Sequence, residues 1–106
     1  MAKGYWIAHV DVADPEAYKA YLEANAKPFA KYAAAATQAI ADHGGRALAR
    51  GGRYEALEGK ARARNVVLEF ESYDAARAYY YSEQYQAARA HREGAAEMEM
   101  VLVEGV

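Results

Sequence analysis

The chain has no cysteine, only two prolines and few branched aliphatic side chains. The absence of cysteine excludes disulfides, thiolate nucleophiles and cysteine-ligated zinc sites. Of its 106 residues 54% are hydrophobic, but 27 are alanine, 13 are aromatic and only 14 are valine, isoleucine or leucine. An alanine methyl group buries little area, and a chain of this length folds as one domain with a modest core. We therefore expect aromatic side chains and a second subunit to supply packing.

The sequence also lacks a long apolar run and an excess of positive charge. No stretch approaches the roughly 18 apolar residues of a membrane helix. The first residues lack the basic region and apolar core of a secretory signal, so we expect a cytoplasmic protein without a membrane partner. A net charge of −2 argues against general nucleic-acid binding. Residues 46–64 nevertheless carry a net charge of +4, which predicts a local anion site or a complementary self-contact.

The first part of the chain predicts a strand followed by a long helix. Apolar and mixed residues alternate over Tyr5–Val12, with Trp6, Ala8, Val10 and Val12 on one face. Asp14-Pro15-Glu16 is typical of a helix start, and His43-Gly44-Gly45 is typical of a helix end. Pro28 predicts either a kink or a new helix start between them.

Residues 46–71 are rich in strand-forming sequence. We predict strands over Arg46–Arg50, Arg53–Leu57 and Asn65–Phe70. Gly51-Gly52 allows a two-residue hairpin turn, or a bulge in one long strand whose turn lies at 58–63. We favour the bulge because Glu58-Gly59-Lys60 is itself a good turn sequence.

The last third predicts two helices and a final strand. Ser72 is a helix cap, and Ser82 caps a second helix that runs from Glu83 to about Arg92 and ends at Gly94. Alternation over Glu97–Val103 predicts the last strand. This order of elements indicates an α+β fold with helices on one face of an antiparallel sheet.

A set of ordered motifs resembles one family across nearly the whole chain. The motifs are Lys3-Gly4-Tyr5-Trp6-Ile7, Asp14-Pro15-Glu16-Ala17-Tyr18, Gly44-Gly45-Arg46, Arg50-Gly51-Gly52, Tyr54-Glu55, Leu57-Glu58-Gly59, Val67 to Phe70 and Ser72-Tyr73. Together they resemble the DUF1330 family. The resemblance implies a single domain over residues 1–106 with a ferredoxin-like, dimeric α+β-barrel fold. It implies a homodimer whose sheets meet face to face, and no settled activity.

The sequence departs from the family pattern in two places. The first helix region is longer by about three turns, or about eleven residues, which nearly preserves the helix phase. We place this extension within about 28–43. The stretch Ser82-Glu83-Gln84-Tyr85 also lacks the proline found in the Ser-Pro-Glu-Tyr of the family.

His9 is the candidate catalytic base, because a histidine near a carboxylate can exchange protons at neutral pH. The strand pattern puts Glu69 on the same sheet face, so Glu69 is its candidate partner. The alternative is that His9 is only hydrogen-bonded at the sheet or dimer face and Glu69 forms a salt bridge. No ligand motif connects the three histidines, and we expect no metal and no cofactor.

Arg46, Arg50 and Arg53 flank the glycine pair and are candidate anion ligands, because guanidinium groups bind carboxylates in bidentate fashion. The alternative is that these arginines bind no ligand and only keep an exposed sheet edge solvated. The tyrosines mainly predict core and interface packing. Trp6 and Tyr79 are the candidates to line a pocket for a flat organic ligand.

The sequence is compatible with two functions. The first is a homodimeric small-molecule protein, or a cofactor-independent enzyme that acts on an aromatic or carboxylic metabolite with His9 as base and Arg50 as anion anchor. The second is a non-catalytic dimeric binding or assembly module, in which the same residues join the subunits. Fold analogy does not decide between them.

Overall fold

The computed structural model describes residues 2–12, 36–90 and 96–106. Within them, four strands form one antiparallel sheet: β1 (Gly4–Val12), β2 (Arg46–Arg50), β3 (Arg64–Phe70) and β4 (Ala96–Glu104). Their order across the sheet is β2-β3-β1-β4. Residues 36–42 are helical (α1), and two further helices are α2 (Tyr73–Tyr81) and α3 (Glu83–Ala90). The α+β architecture predicted from the sequence is confirmed.

Strand alternation sets the two faces of the sheet. One face of β1 and β3 is buried against the helices: Trp6, Ala8 and Val10, as the sequence predicts, together with Val66, Leu68 and Phe70. The core is aromatic at its centre, where Trp6, Phe70, Tyr79 and Tyr85 are all at most 4% exposed. The ring centroid of Tyr79 lies 5.0 Å from that of Phe70 and 5.0 Å from that of Tyr85. Tyrosines therefore replace the scarce aliphatic side chains at these two positions.

The predicted helix ends are found where the described chain contains them. α1 ends as Gly44 takes a φ of 71° and the Gly45 N–H donates to the Ile40 carbonyl at 2.9 Å. Ser72 Oγ accepts from the Ala75 N–H at 3.0 Å, and Ser82 Oγ accepts from the Tyr85 N–H at 3.0 Å. These caps confirm the starts of α2 and α3.

The segment between β2 and β3 differs from both sequence predictions. Arg53–Leu57 is not a strand, so a hairpin turn at Gly51-Gly52 is wrong. The chain instead crosses from β2 to β3 through an exposed loop, residues 51–63. A bulge does occur, but it lies between Ala47 and Ala49 rather than at the glycines. Leu48 is the extra residue, because Ala47 pairs with Leu68 and Ala49 with Val67.

Some of the sequence predictions lie outside the described residues. They are the helix start at Asp14-Pro15-Glu16, the effect of Pro28, most of the helical extension within 28–43, and the helix end near Arg92 and Gly94.

Candidate functional site

A cavity of about 260 Å³ lies between the sheet and the helices. We call it the helix-side cavity. Its wall is mainly apolar, and small side chains such as Ala8 and Ala36 leave the space open. The described residues that line it are Trp6, Ala8, Val10, Ala36, Thr37, Ile40, Arg50, Arg64, Val66, Leu68, Tyr79 and Met98.

Two side chains that line this cavity carry a polar group without a hydrogen-bond partner in the part of the chain that the structure describes. These groups are Trp6 Nε1 and the Tyr79 hydroxyl, and both are buried. The two rings meet edge to face with centroids 6.1 Å apart. A buried polar group without a partner costs about 1–3 kcal/mol, so such groups need an explanation. Burial, followed by the nearby Tyr85, raises the pKa of Tyr79, which keeps its hydroxyl protonated and able to donate.

The bulge at Leu48 separates the arginines that the sequence groups together. Arg46 is in register with Glu69, whereas Arg50 is in register with Val66, which is buried on the helix side. The extra residue therefore puts Arg46 and Arg50 on opposite faces, although four residues along a regular strand would keep them on one face. Arg50 and Arg53 are both exposed, but Arg50 lines the helix-side cavity and Arg53 lies on the loop.

Sequence reasoning missed Arg64 as a site residue. It begins β3, is in register with the buried Val10, and lines the same cavity as Arg50. The alternation of β3 carries this signal, since residues 64, 66, 68 and 70 share one face.

The opposite side of the sheet is covered by none of the described helices, and we call it the open face. Its residues lie in rows across the strands. The rows are Arg46, Glu69, Tyr5 and Val103; Ala49, Val67, Ile7 and Val101; and Asn65, His9 and Glu99.

His9 and Glu69 share the open face but do not contact each other. His9 Nδ1 lies 2.6 Å from Asn65 Oδ1, and the two residues are paired across the strands. Glu69 is four residues from Asn65 along β3, which corresponds to about 13 Å. The odd-numbered His9 also points away from the helix-side cavity. The structure therefore does not bring His9 together with Glu69 or with Arg50.

Glu69 has its own partners on the open face. Its carboxylate accepts from Arg46 Nε at 2.9 Å and from the Tyr5 hydroxyl at 3.1 Å. Burial raises the pKa of Glu69, but the hydrogen bonds from Arg46 and Tyr5 outweigh it and the net shift is downward. The hydrogen bond to Glu69 raises the pKa of Tyr5. This cluster matches the salt-bridge interpretation of Glu69.

Arg62 fixes the loop of residues 51–63 to the end of the sheet. Its guanidinium lies 2.8 Å from Asp11, 3.2 Å from Glu97 and 2.9 Å from Glu99. The Ala63 N–H also donates to Asp11 at 3.0 Å. The loop thereby forms an open groove of about 700 Å³ over His9 and Asn65.

The described residues contain no group of three histidine or acidic side chains placed to hold a metal ion. Among them, no helix is long and apolar enough to cross a membrane.

The fold and the cavity define a small α+β protein in which the described residues form a sheet, a helical layer on one side of it and a small cavity between the two. The chain matches the family described as a domain of unknown function, DUF1330, over residues 3–32 and 24–106. These two segments overlap and together cover nearly the whole chain, and the chain belongs to this family. No curated protein matches it.

Solved structures show the same fold. A protein of unknown function from Rhodopseudomonas palustris aligns with a TM-score of 0.67 at 16% identity, over 99% of this chain and 83% of that chain. A dimeric ferredoxin-like protein of unknown function from Thermobifida fusca aligns with a TM-score of 0.58 at 15% identity, over 99% and 92%. A Bacteroides thetaiotaomicron protein described as a possible oxidoreductase aligns with a TM-score of 0.58 at 12% identity, over 97% of both chains. The fold is therefore ferredoxin-like, as the family resemblance implied.

Proposed function

We propose that this protein is a homodimeric small-molecule-binding protein whose ligand occupies the helix-side cavity. The observation that carries the proposal is that Trp6 and Tyr79, which line one apolar cavity, each hold a buried polar group, Nε1 and the hydroxyl, without a partner among the described residues. A ligand with a hydrogen-bond acceptor would satisfy them and remove the cost of their burial. Apolar walls with a few polar groups are typical of small-molecule sites.

The size and charge of the cavity favour a small aromatic carboxylate. Cavities of about 150 Å³ hold benzene, so about 260 Å³ accommodates a single ring with a short substituent. The Trp6 N–H and the protonated Tyr79 hydroxyl supply donors for an acceptor atom. Arg50 is the only one of the three predicted arginines that lines the cavity, and it supplies positive charge for a carboxylate.

The open face supports the homodimer. The row Ala49, Val67, Ile7 and Val101 runs across all four described strands and gives the face an apolar centre. Val101 is 54% exposed and Val103 is 44% exposed in the single chain. A second copy placed on this face would cover them. The Thermobifida fusca protein with this fold is described as dimeric.

Trp6 makes the ligand proposal directly testable. It is the only tryptophan of the chain, so its fluorescence, excited where tyrosine does not absorb, reports on the surroundings of this one cavity-lining residue. We expect titration with a panel of single-ring carboxylates, phenylacetate among them, to change this emission saturably.

Arg50→Gln should weaken binding about tenfold, in line with loss of one charged hydrogen bond. Arg53→Gln, on the exposed loop, is the matched control and should bind like the wild type. A wild type that responds to none of these carboxylates would contradict the proposal.

A non-catalytic dimer module is the second candidate function. This function is favoured because polar side chains on the open face bind each other rather than a ligand: Arg46 and Tyr5 both donate to Glu69. In that case variants at Trp6 or Tyr79 would change stability alone, and no carboxylate would bind. His9 could act as a base only on a molecule held at the open face, because it lies on the other side of the sheet from the cavity.

A further inference from the structure

The residue that follows β2 is held in a conformation that favours glycine. Gly51 has a φ of 70°, and its N–H donates to the Asn65 carbonyl at 3.0 Å. This hydrogen bond fixes the backbone of Gly51 one residue beyond the strand. A β-carbon at this position would overlap Nη1 of Arg64 and lie 3.0 Å from its Cζ. The guanidinium group of Arg64 therefore occupies the space that a side chain at position 51 would need.

Arg64 differs from the arginines on the other side of the sheet. Arg46 is paired with Glu69, and Arg62 is paired with three carboxylates. Neither Arg50 nor Arg64 forms an ion pair within residues 2–12, 36–90 and 96–106. Both line the helix-side cavity, and Arg64 is half-buried. Two arginines without an ion pair in the described chain therefore line one largely apolar cavity whose described lining contains no carboxylate.

We propose that Arg64, seated over Gly51, is a second anion-binding residue of the helix-side cavity, and that with Arg50 it selects a carboxylate ligand over its neutral amide. This inference rests on the proposed function and deepens it. A carboxylate offers two oxygens with about four lone pairs, which two guanidinium groups can share. An amide has one oxygen acceptor, carries no charge, and brings N–H donors toward two groups that only donate. The glycine is needed because any larger residue displaces Arg64.

The first test compares phenylacetate with phenylacetamide, which differ only in the acid or amide group. We expect the wild type to bind the acid at least tenfold more tightly, measured by Trp6 fluorescence and by calorimetry. Arg64→Gln should lose about tenfold in affinity for phenylacetate and little for phenylacetamide. Arg64→Lys, which keeps the charge but loses the planar fork, should recover part of the loss. Thermal melting of each variant verifies that it is folded.

The second test uses two glycines with the same backbone conformation. Gly59 has a φ of 72°, and no atom lies within 4 Å of the position that a β-carbon would take there. Gly59→Ala therefore carries the same backbone strain without touching Arg64. Gly51→Ala should weaken phenylacetate binding as Arg64→Gln does, whereas Gly59→Ala should bind like the wild type. If both alanine variants bind equally well, Gly51 does not seat Arg64.

Binding measurements distinguish failure of the proposed function from failure of the role of Arg64 alone. If the wild type binds none of the single-ring carboxylates, the proposed function and the role of Arg64 fall together. If the wild type binds phenylacetate and Arg64→Gln binds it equally well, only the role of Arg64 is overturned. Equal binding of acid and amide by the wild type would overturn the predicted selectivity.

Discussion

At the scale of single residues, Tyr79 combines full burial with a hydroxyl that has no partner among the described residues. Its ring packs against Trp6, Phe70 and Tyr85 at the centre of the core. A phenylalanine would keep these contacts and would not leave a buried polar atom without a partner. A tyrosine at this position is therefore a cost to the unliganded protein, and the cost is offset only when something accepts its hydrogen bond.

We predict that Tyr79→Phe stabilises the unliganded protein by about 1 kcal/mol and weakens carboxylate binding. Urea unfolding with and without phenylacetate measures both effects. Tyr81→Phe is the control, because Tyr81 is 62% exposed and its hydroxyl can reach water. A loss of stability in Tyr79→Phe would contradict the prediction, since it would mean that the hydroxyl already has a partner.

At the scale of elements, local sequence predicts the strands that have one buried face and the helices that have caps. Alternation identifies β1, β3 and β4, and Ser72 and Ser82 identify α2 and α3. Both signals are local, because a period of two and a cap within four residues need no knowledge of the rest of the chain. The amino-acid sequence alone is therefore enough to locate these five elements.

β2 and the following loop could not be predicted in the same way. Ala47-Leu48-Ala49 carries no glycine or other sign of a bulge, because this bulge depends on how β2 pairs with β3. Arg53–Leu57 has strand-forming residues, which predict a strand, yet no described strand pairs with it. The arginines that the sequence groups together do not share one face of the sheet. One extra residue in β2 moves each later residue of this strand to the opposite face.

The loop of residues 51–63 depends on charge for its position, and this makes it sensitive to acid. The hydrogen bond from the Ala63 N–H, and then those from Arg62, lower the pKa of Asp11 below its ordinary value of 3.8. A group with a lowered pKa in the folded state stabilises the fold above its ordinary pKa. That contribution is lost as the pH falls through the lowered value.

We predict that the wild type loses stability relative to Asp11→Asn as the pH falls from about 5 to about 3. The asparagine keeps an oxygen that can accept from Ala63 but carries no charge to lose. Urea unfolding across this pH range gives the difference directly. Glu55→Gln removes a carboxylate from the same loop that has no ion pair among the described residues, and its pH profile should follow that of the wild type. Parallel profiles for Asp11→Asn and the wild type would show that Asp11 does not anchor the loop.

At the scale of the whole molecule, the sheet separates two surfaces for which we propose different roles. The helix side holds the cavity, the aromatic core, and Arg50 and Arg64. The open face has an apolar row, flanked on one side by Arg46 and Glu69 and on the other by His9 and Asn65. Such a face, apolar at its centre and polar around it, is typical of protein–protein interfaces. Ligand binding and dimerisation should therefore respond to different substitutions.

If the protein is the homodimer that we propose, Val101→Asp should convert it to a monomer without abolishing phenylacetate binding. Val101 is paired with Ile7 in the apolar row, and a twofold interface contains each substitution twice. An unpaired buried carboxylate costs several kcal/mol, and two such charges offset much of the roughly 8 kcal/mol that corresponds to micromolar association. Light scattering gives the mass. Ala87→Asp puts the same charge on an exposed residue of α3, on the helix side of the sheet, and should stay dimeric. If Val101→Asp stays dimeric, the interface does not lie on the open face. If the variant loses ligand binding together with the dimer, the cavity needs the second subunit to form.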